Sequence, residues 1–269
     1  MKIHLLTLFL LLSIALSACT PASTPPPAAP QPTTANTATS TPLPDPTDTN
    51  TPTIAQSATP SEEPAYPGAL TFEQRESLAA AAQAYISPTP EETLATAIRL
   101  DYLGRNANPA TMCGPLALAI LRDAGLIEPT IPLVSFYYLN PRPGIDERRV
   151  QEVFPPDRFE KIMHDESIGE FDFSAQPLYP GDFLYLFAGD SGSFEHMLVV
   201  SHVDDAGRAF AVTNINTEAG VVVKEVMLYD PAQPGDGQFY EWTNWENRMI
   251  GRTGYGGFWL WRLRETPHN

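Results

Sequence analysis

Cysteine and positive charge are both scarce in this chain. Its 269 residues include two cysteines, Cys19 and Cys113, and 16 Lys and Arg against 32 Asp and Glu. The net charge of −16 argues against nucleic acid as a partner and against electrostatic binding to anionic lipid. Only residues 5–16 form a long apolar run, whereas a membrane-spanning helix needs roughly 20 residues. We therefore expect the remainder of the chain to be soluble.

The N-terminus has the features of an export signal. Lys2 and His4 open the apolar run, and Leu-Ser-Ala-Cys at residues 16–19 closes it. This ending resembles the lipobox of bacterial lipoproteins, in which the cysteine carries acyl chains. The resemblance implies a signal peptide over residues 1–18 and a lipid anchor on Cys19, which holds the protein at the outer face of the cell membrane. An ordinary secretory signal with an incidental cysteine is the alternative.

Residues 19–67 form a low-complexity segment rich in proline and threonine. Residues 20–67 contain 13 of the 28 prolines, four acidic residues and no Lys or Arg. Such a composition buries too little apolar surface to offset the entropy of ordering the chain. We therefore expect this segment to be a disordered stalk between the anchor and a folded domain.

The remaining residues, 68–269, have the length of one globular domain. Helix-capping signals begin at Thr71 and Thr89, a third helix is expected to start near residues 108–111, and residues 146–153 favour a short fourth helix. Aromatic and β-branched residues predict strands further along, at residues 183–187, 197–203, 208–214, 220–229 and 257–263. Helices followed by antiparallel strands indicate the α+β fold class, with the helices packed on the sheet.

Cys113 is the candidate nucleophile. Once Cys19 is acylated, Cys113 is the only thiol left in an exported domain, and it stands at the predicted start of the third helix. Unpaired N–H groups and the positive end of the helix dipole favour a thiolate there, so we expect its pKa to be lowered. The alternative is a small buried cysteine with a purely structural role.

A cysteine nucleophile needs a general base, which is usually histidine. His4 leaves with the signal peptide, His268 lies near the C-terminus, and His164 is expected in a polar loop. His196 and His202 belong to one predicted strand and, at even spacing, should share a face. We favour His196, because a residue at the start of a strand can lie next to a helix N-terminus. We expect His202 on the solvent side, at the edge of the site.

Hairpin geometry suggests a partner for His196. If residues 204–207 form a three-residue loop with a glycine bulge, the register places His196 opposite Asn216 and brings Asn214 onto the same face. A loop of two or four residues would put both asparagines on the other face. Either asparagine can orient an imidazole, and either can instead simply end the strand.

The start of the third helix resembles that of papain-like cysteine peptidases. Residues 112–125 read Met-Cys-Gly-Pro-Leu-Ala-Leu-Ala-Ile-Leu-Arg-Asp-Ala-Gly, which looks closest to the branch that trims double-glycine leader peptides. The Pro-Gly-Asp turn at residues 180–182, followed by a histidine and an apolar strand, looks like the NlpC-type and CHAP-type cell-wall amidases. The resemblance implies a papain-like fold and the roles of nucleophile, base and orienting group for Cys113, His196 and Asn214 (or Asn216).

The resemblance also bears on the oxyanion site. The leader-peptidase branch usually has Gln about six residues before the cysteine, where this chain has Ala107 between Asn106 and Asn108. Either asparagine could donate to an oxyanion, together with the Cys113 N–H. That branch also usually has Asp as its third residue, whereas Asn is the papain pattern. No cofactor and no metal ion are implied.

Two functions from different classes fit these residues. The first is a surface-anchored hydrolase that cleaves a peptide or amide bond, in a cell-wall peptide or an extracellular peptide, through an acyl-enzyme. The second is a catalytically inert papain-like module that binds a partner in the envelope, with the C-terminal tryptophans as candidates: Trp242, Trp245, Trp259 and Trp261. Trp259 and Trp261 alternate and are expected to pack on one face of a strand. A metal site of His196, His202 and Asp204 lacks the spacing of a dedicated motif.

Overall fold

The computed structural model of the chain describes residues 68–100, 108–137, 139, 141, 144–187, 195–246 and 256–265. These residues form helices and two antiparallel sheets, so the domain belongs to the α+β class. The predicted signal peptide, Cys19, the proline-rich stalk and Asn106 lie outside the described residues. Within the described ranges, none of the helices combines the length and the apolar character that a bilayer-spanning helix needs.

The first two helices begin where the capping signals predict. In the described ranges the helices are α1 Phe72–Gln83, α2 Pro90–Arg99, α3 Cys113–Asp123, α4 Ile145–Val153 and α5 Gln238–Glu246. Thr71 before α1 and Thr89 before α2 each form a capping box with the residue three positions further on. The N-terminal residues therefore predicted the starts of α1 and α2. The helices α3 and α4 begin without a side-chain cap, and α3 starts after the 3₁₀ turn at residues 109–111, where the cap of the third helix was expected.

The helix α3 is the most deeply buried of these elements. A 3₁₀ turn, Pro109–Thr111, precedes it, and Asn108 Oδ1 caps that turn by accepting the Ala110 N–H at 3.0 Å. The first nine residues of α3 are all buried, so the helix is apolar around its whole circumference. Gly125, with φ 73°, follows it in the left-handed conformation that the sequence predicts.

The strands form two antiparallel sheets. They are β1 Phe159–His164, β2 Phe183–Leu186, β3 His196–Val199, β4 His202–Val203, β5 Ala209–Thr217, β6 Gly220–Tyr229 and β7 Phe258–Leu263. The strand order is β1-β7-β2-β3 in the four-stranded sheet and β4-β5-β6 in the three-stranded sheet. In β7, Trp259 and Trp261 make the predicted same-face contact, with ring centroids 6.3 Å apart.

The side chains of β3 divide between two cores. Because successive strand residues point to opposite faces, Met197 and Val199 face the core that contains α3. Leu198 points the other way, into a second core that includes Phe239 of α5. His196 has the same parity as Leu198, so its side chain emerges on the α5 side of the strand.

Two elements, β1 and α5, were not predicted from the sequence patterns. In β1 only Phe159 is fully buried, so the strand lacks the regular alternation that would reveal it. The helix α5 follows Gly237, at φ 106°, and the sequence patterns predicted no helix at this position. The expectation that His164 lies in a polar loop is wrong, because this residue ends β1 and its ring packs against Phe171 and Phe258.

The single strand predicted for residues 197–203 is two strands. The Val200 N–H donates to Asp182 O, which keeps the first part of the segment beside β2. The Ser201 N–H donates to Phe210 O, which joins the second part to β5. The chain therefore passes from one sheet to the other between Val200 and Ser201.

The break changes what faces His196. The turn at residues 204–207 forms as predicted, with Gly207 at φ 78° and the predicted register in the strands next to it. That register does not continue past the break, and His196 pairs with Leu186 of β2. The predicted pairing of His196 with Asn216 is therefore wrong, because it assumed one continuous hairpin.

Candidate active site

Cys113 lies at the N-terminus of α3, against β3. The residue is 6% exposed, and the backbone N–H groups of Met197, Gly114 and Cys113 itself are directed to its sulfur. Burial nevertheless raises the pKa of the Cys113 thiol, since desolvation outweighs these hydrogen bonds. The expected lowering of this pKa is wrong, because the packing that supplies the donors also excludes the water that would solvate a thiolate.

Gly114 permits this close approach of α3 to β3. A Cβ atom at residue 114 would lie 2.4 Å from the Phe136 carbonyl oxygen and 2.8 Å from Met197 Sδ. Any side chain would push the start of α3 away from the backbone at Phe136 and displace the Met197 side chain of β3. The glycine therefore allows the helix start that carries Cys113 to pack closely against both segments.

His196 opens β3 and is 2% exposed. Its Nε2 lies 2.8 Å from Thr213 Oγ1, and the ring of Trp242 lies beside the imidazole with 4.8 Å between centroids. Burial lowers the pKa of His196 to about 3, so the imidazole is neutral at physiological pH. A neutral imidazole can accept a proton, but this low pKa makes His196 a weak base toward a thiol whose own pKa is raised.

Asn214 is joined to the turn before Cys113. Its Nδ2 donates to the carbonyl oxygens of Pro109 and Ala110, both at 3.1 Å. Its Oδ1 is buried and has no hydrogen-bond partner among the residues that the structure describes. The structure thus joins Asn214 to the turn before Cys113, while Thr213 is the residue that contacts His196 Nε2. The role of Asn214 in orienting the imidazole stays a prediction.

Two further candidates lie toward solvent. Asn216 is exposed near the end of β5. His202 in β4 is partly exposed, and its ring stacks on Phe210 with 4.5 Å between centroids. Phe210 and Thr213 are three residues apart in β5 and point to opposite faces, so the two histidines do not share a face. That expectation is wrong, again because of the break before Ser201.

The three groups predicted to donate to an oxyanion differ in where the structure places them. Asn108 is exposed, and its Oδ1 caps the 3₁₀ turn, so the Nδ2 group of the same amide is the part that could donate to a ligand. Asn106 lies outside the described residues. The Cys113 N–H is directed to the sulfur at the helix start. The oxyanion role of these groups remains a prediction.

A cleft of about 450 Å³ opens beside His196. One wall comes from α5 and the other from β5 and β6, and the lining includes His196, Asn214, Asn216, Lys224, Glu241 and Trp242. Sequence reasoning had singled out the histidine, the two asparagines and the tryptophan. It missed Lys224 and Glu241, because only the packing of α5 against β6 brings them to the cleft.

Tyr185 and Glu195 add polar groups on the Cys113 side of β3. Tyr185 is fully buried, and its hydroxyl lies within hydrogen-bond distance of Leu139 O, at 2.6 Å, and of the Glu195 carboxylate. After the larger effect of burial, the charge of Glu195 also raises the pKa of Cys113. Sequence analysis missed both residues, although Glu195 directly precedes His196.

The described residues form an α+β domain. In this domain a buried cysteine at the start of a helix lies beside the first residues of a strand, and a buried histidine is the first residue of that strand. Comparisons with protein-family models, with curated proteins and with solved structures give no match. In the described part of the chain, no three His, Cys, Asp or Glu side chains are grouped so that they could hold a metal ion. Assignment to a particular family therefore depends on the residues themselves.

Proposed function

We propose that the chain is a papain-like cysteine hydrolase that cleaves a peptide or amide bond in a cell-wall or extracellular peptide. The observation that carries this proposal is the contact of α3 with β3. The backbone N–H directed to the Cys113 sulfur from β3 belongs to Met197, the residue that directly follows His196. A cysteine opening a buried helix, packed against a strand that a histidine opens, is also the arrangement that the resemblance of residues 112–125 implies.

The proposed reaction passes through a thioester. The Cys113 sulfur attacks the carbonyl carbon of the scissile amide, and His196 takes the thiol proton and gives it to the leaving amine. This transfer requires the imidazole to swing around the end of β3, because its side chain lies on the α5 side of the strand and Cys113 lies on the α3 side. Water then hydrolyses the acyl-enzyme with His196 again as base. The Cys113 N–H and the side chain of Asn108 or Asn106 stabilise the oxyanion. Because the pKa of Cys113 is raised and that of His196 is lowered, the resting pair is neutral, and the proton moves as the sulfur attacks.

A second candidate is an envelope-binding module with the same fold and no turnover. It is supported by the burial of both groups, since Cys113 is 6% exposed and His196 is 2% exposed. The cleft beside His196, with Trp242 in its wall, would then bind a partner peptide through its aromatic surface. The two candidates differ in what they predict for the thiol of the folded protein.

The pH dependence of Cys113 alkylation distinguishes the two candidates. For the hydrolase, iodoacetamide should label the folded protein at a rate that stays nearly constant from about pH 4 to pH 8, because His196, with a pKa of about 3, stays neutral and accepts the proton. His196→Ala should slow labelling at pH 6 at least about tenfold. In this variant the labelling rate should fall roughly tenfold for each unit by which the pH is lowered, as it does for a thiolate without a general base. Mass spectrometry of the Cys113 peptide measures these rates.

His202→Ala is the matched control, since His202 lies on the opposite face of the strand region and should not affect labelling. Cys113→Ala should remove the label entirely, because it is the only thiol of the acylated chain. Labelling that begins only when urea unfolds the domain would reject the hydrolase and favour the binding module. Fast labelling that is unchanged in His196→Ala would reject the pairing of cysteine and histidine.

We infer that Cys19 carries a lipid anchor, on the basis of the lipobox-like residues 16–19. Cys19→Ala should move the protein from the membrane pellet to the soluble fraction, or leave it with an uncleaved N-terminus. Fractionation followed by mass determination of the N-terminal peptide measures both outcomes. Cys113→Ala should behave as the unmodified chain. A Cys19→Ala protein that stays in the membrane fraction with normal processing would contradict the anchor.

A further inference from the structure

Two exposed side chains of opposite charge line the cleft beside His196. Lys224 belongs to β6 and Glu241 belongs to α5, and these two elements form opposite walls of the cleft. Among the residues that the structure describes, neither side chain forms a salt bridge or a hydrogen bond, whether with the other or with a third group. The ammonium and the carboxylate are therefore both available to a ligand.

The register of β5 and β6 directs Lys224 toward this cleft. Lys224 lies directly opposite Thr213, and residues that face each other across an antiparallel pair point to the same side of the sheet. Thr213 contacts His196, so this is the α5 side. Val226, two residues further along β6, packs into the core that includes Phe239 of α5, which agrees with this direction. The paired strands therefore hold the base of the lysine side chain at a fixed place in the wall.

The opposite wall is one face of α5. Gln238, Glu241 and Trp242 line the cleft, and their spacing of three and four residues places them on the same side of the helix. Trp242 is partly exposed, and its ring lies beside His196 with 4.8 Å between centroids. This wall therefore combines a carboxylate, an apolar aromatic surface and an amide within about one helical turn.

We propose that the cleft binds a short peptide whose two ends are free, with its terminal carboxylate at Lys224 and its terminal ammonium at Glu241. This inference rests on the proposed function for the peptide nature of the ligand, and it narrows the substrate class to short peptides. A ligand with a single charge would leave one of the two charges of the cleft unpaired, whereas a zwitterionic peptide pairs with both. The volume of about 450 Å³ accommodates a few residues, and Trp242 provides apolar surface for their side chains.

Tetra-alanine with different ends tests the proposal, by calorimetric titration into the full-length Cys113→Ala protein, which cannot cleave the probe through the thiol. The four forms of the probe are free at both ends, N-acetylated, C-amidated, and blocked at both ends. The free form should bind at least about threefold more tightly than either singly blocked form, because each end contributes one partly exposed ion pair. Raising the salt concentration from about 0.05 M to about 0.5 M should reduce this difference.

Variants of the two charged residues assign each end of the probe to its wall. Lys224→Met should weaken binding of the free form to the level of the amidated form and should not affect the amidated form, because its charge partner is already absent. Glu241→Gln should do the same with the acetylated form. Both residues are exposed, so the thermal midpoint should not change. Lys161→Met and Glu160→Gln are the matched controls, since these exposed residues of β1 do not line the cleft.

The binding results and the alkylation of Cys113 separate this inference from the proposed function. Equal affinity for the four forms, or no binding of any form, would overturn the inference, and His196-dependent labelling would still support the hydrolase. Binding that depends on free ends, in a protein whose thiol is unreactive, supports the peptide site and rejects the hydrolase in favour of the binding module. If Lys224→Met and Glu241→Gln bind the free form as tightly as the two controls, the peptide ends are recognised elsewhere and the assignment to this cleft is overturned.

Discussion

Arg262→Met should lower the free energy of unfolding by about 3–5 kcal/mol, because it leaves a buried carboxylate without its partner. Asp182, which precedes β2, is 1% exposed, and its two oxygens accept hydrogen bonds from Arg262 Nη2 at 2.6 Å and Nε at 2.9 Å. Among the residues that the structure describes, only the Tyr179 N–H, at 2.8 Å, would remain as a donor to this carboxylate. Urea denaturation followed by circular dichroism measures the change.

Arg208→Met is the matched control. Arg208 pairs with Asp204 at 2.6 Å, but both side chains are far more exposed than Asp182. An exposed ion pair contributes about 0–1 kcal/mol, so this variant should unfold close to the unmodified chain. If both variants lose the same free energy of unfolding, burial of Asp182 does not determine the loss. A loss under about 1 kcal/mol in Arg262→Met would contradict the predicted destabilisation.

Gly114→Ala should destabilise the domain by about 3 kcal/mol and disturb the thiol as well. The added methyl carbon would meet the Phe136 carbonyl oxygen at 2.4 Å, and a backbone atom cannot move aside as the Met197 side chain can. The N-terminus of α3 must then shift away from the backbone at Phe136. We expect a lower urea midpoint together with a changed rate of Cys113 alkylation in the folded protein.

Gly125→Ala separates this clash from ordinary glycine effects. Gly125 follows the same helix with φ 73°, and a Cβ atom there would meet nothing within 4 Å. Its replacement should cost only the left-handed backbone conformation, about 1–2 kcal/mol, and should leave the alkylation rate unchanged. An alkylation rate that changes equally in both variants would argue that helix stability, and not the contact at Gly114, controls the thiol.

Local signals predicted the helices well, and cross-strand relations poorly. Thr71 and Thr89 predict the starts of their helices, because a capping box involves residues only three positions apart. Only one of the six side chains of β1 is buried, so its pairing with β7 leaves no periodic apolar pattern in the sequence. The break at residues 200–201 is likewise invisible, because Val200 and Ser201 find their partners in different sheets.

In the candidate site, too, local signals in the sequence identified some residues, whereas contacts across strands could not be predicted. Cys113 and His196 could be selected because each opens an element, and residue types at element ends can be read from the sequence. The contact of Thr213 with His196 could not be selected, because it depends on how two sheets join. The pKa of Cys113 was also misjudged, since the helix dipole is evident in a sequence while the degree of burial is a property of the packed domain.

The position of β7 has a consequence for how the domain matures. This strand comes last among the described strands, yet it lies between β1 and β2 in the four-stranded sheet. In the described residues β1 pairs with no other strand, so that sheet cannot close before residues 258–263 are available. Such long-range pairing is slow to form. For a chain exported as proposed above, the order of the strands would delay final folding until residues 258–263 have been synthesised. The N-terminal signal would then have time to engage the export machinery while the chain is still open.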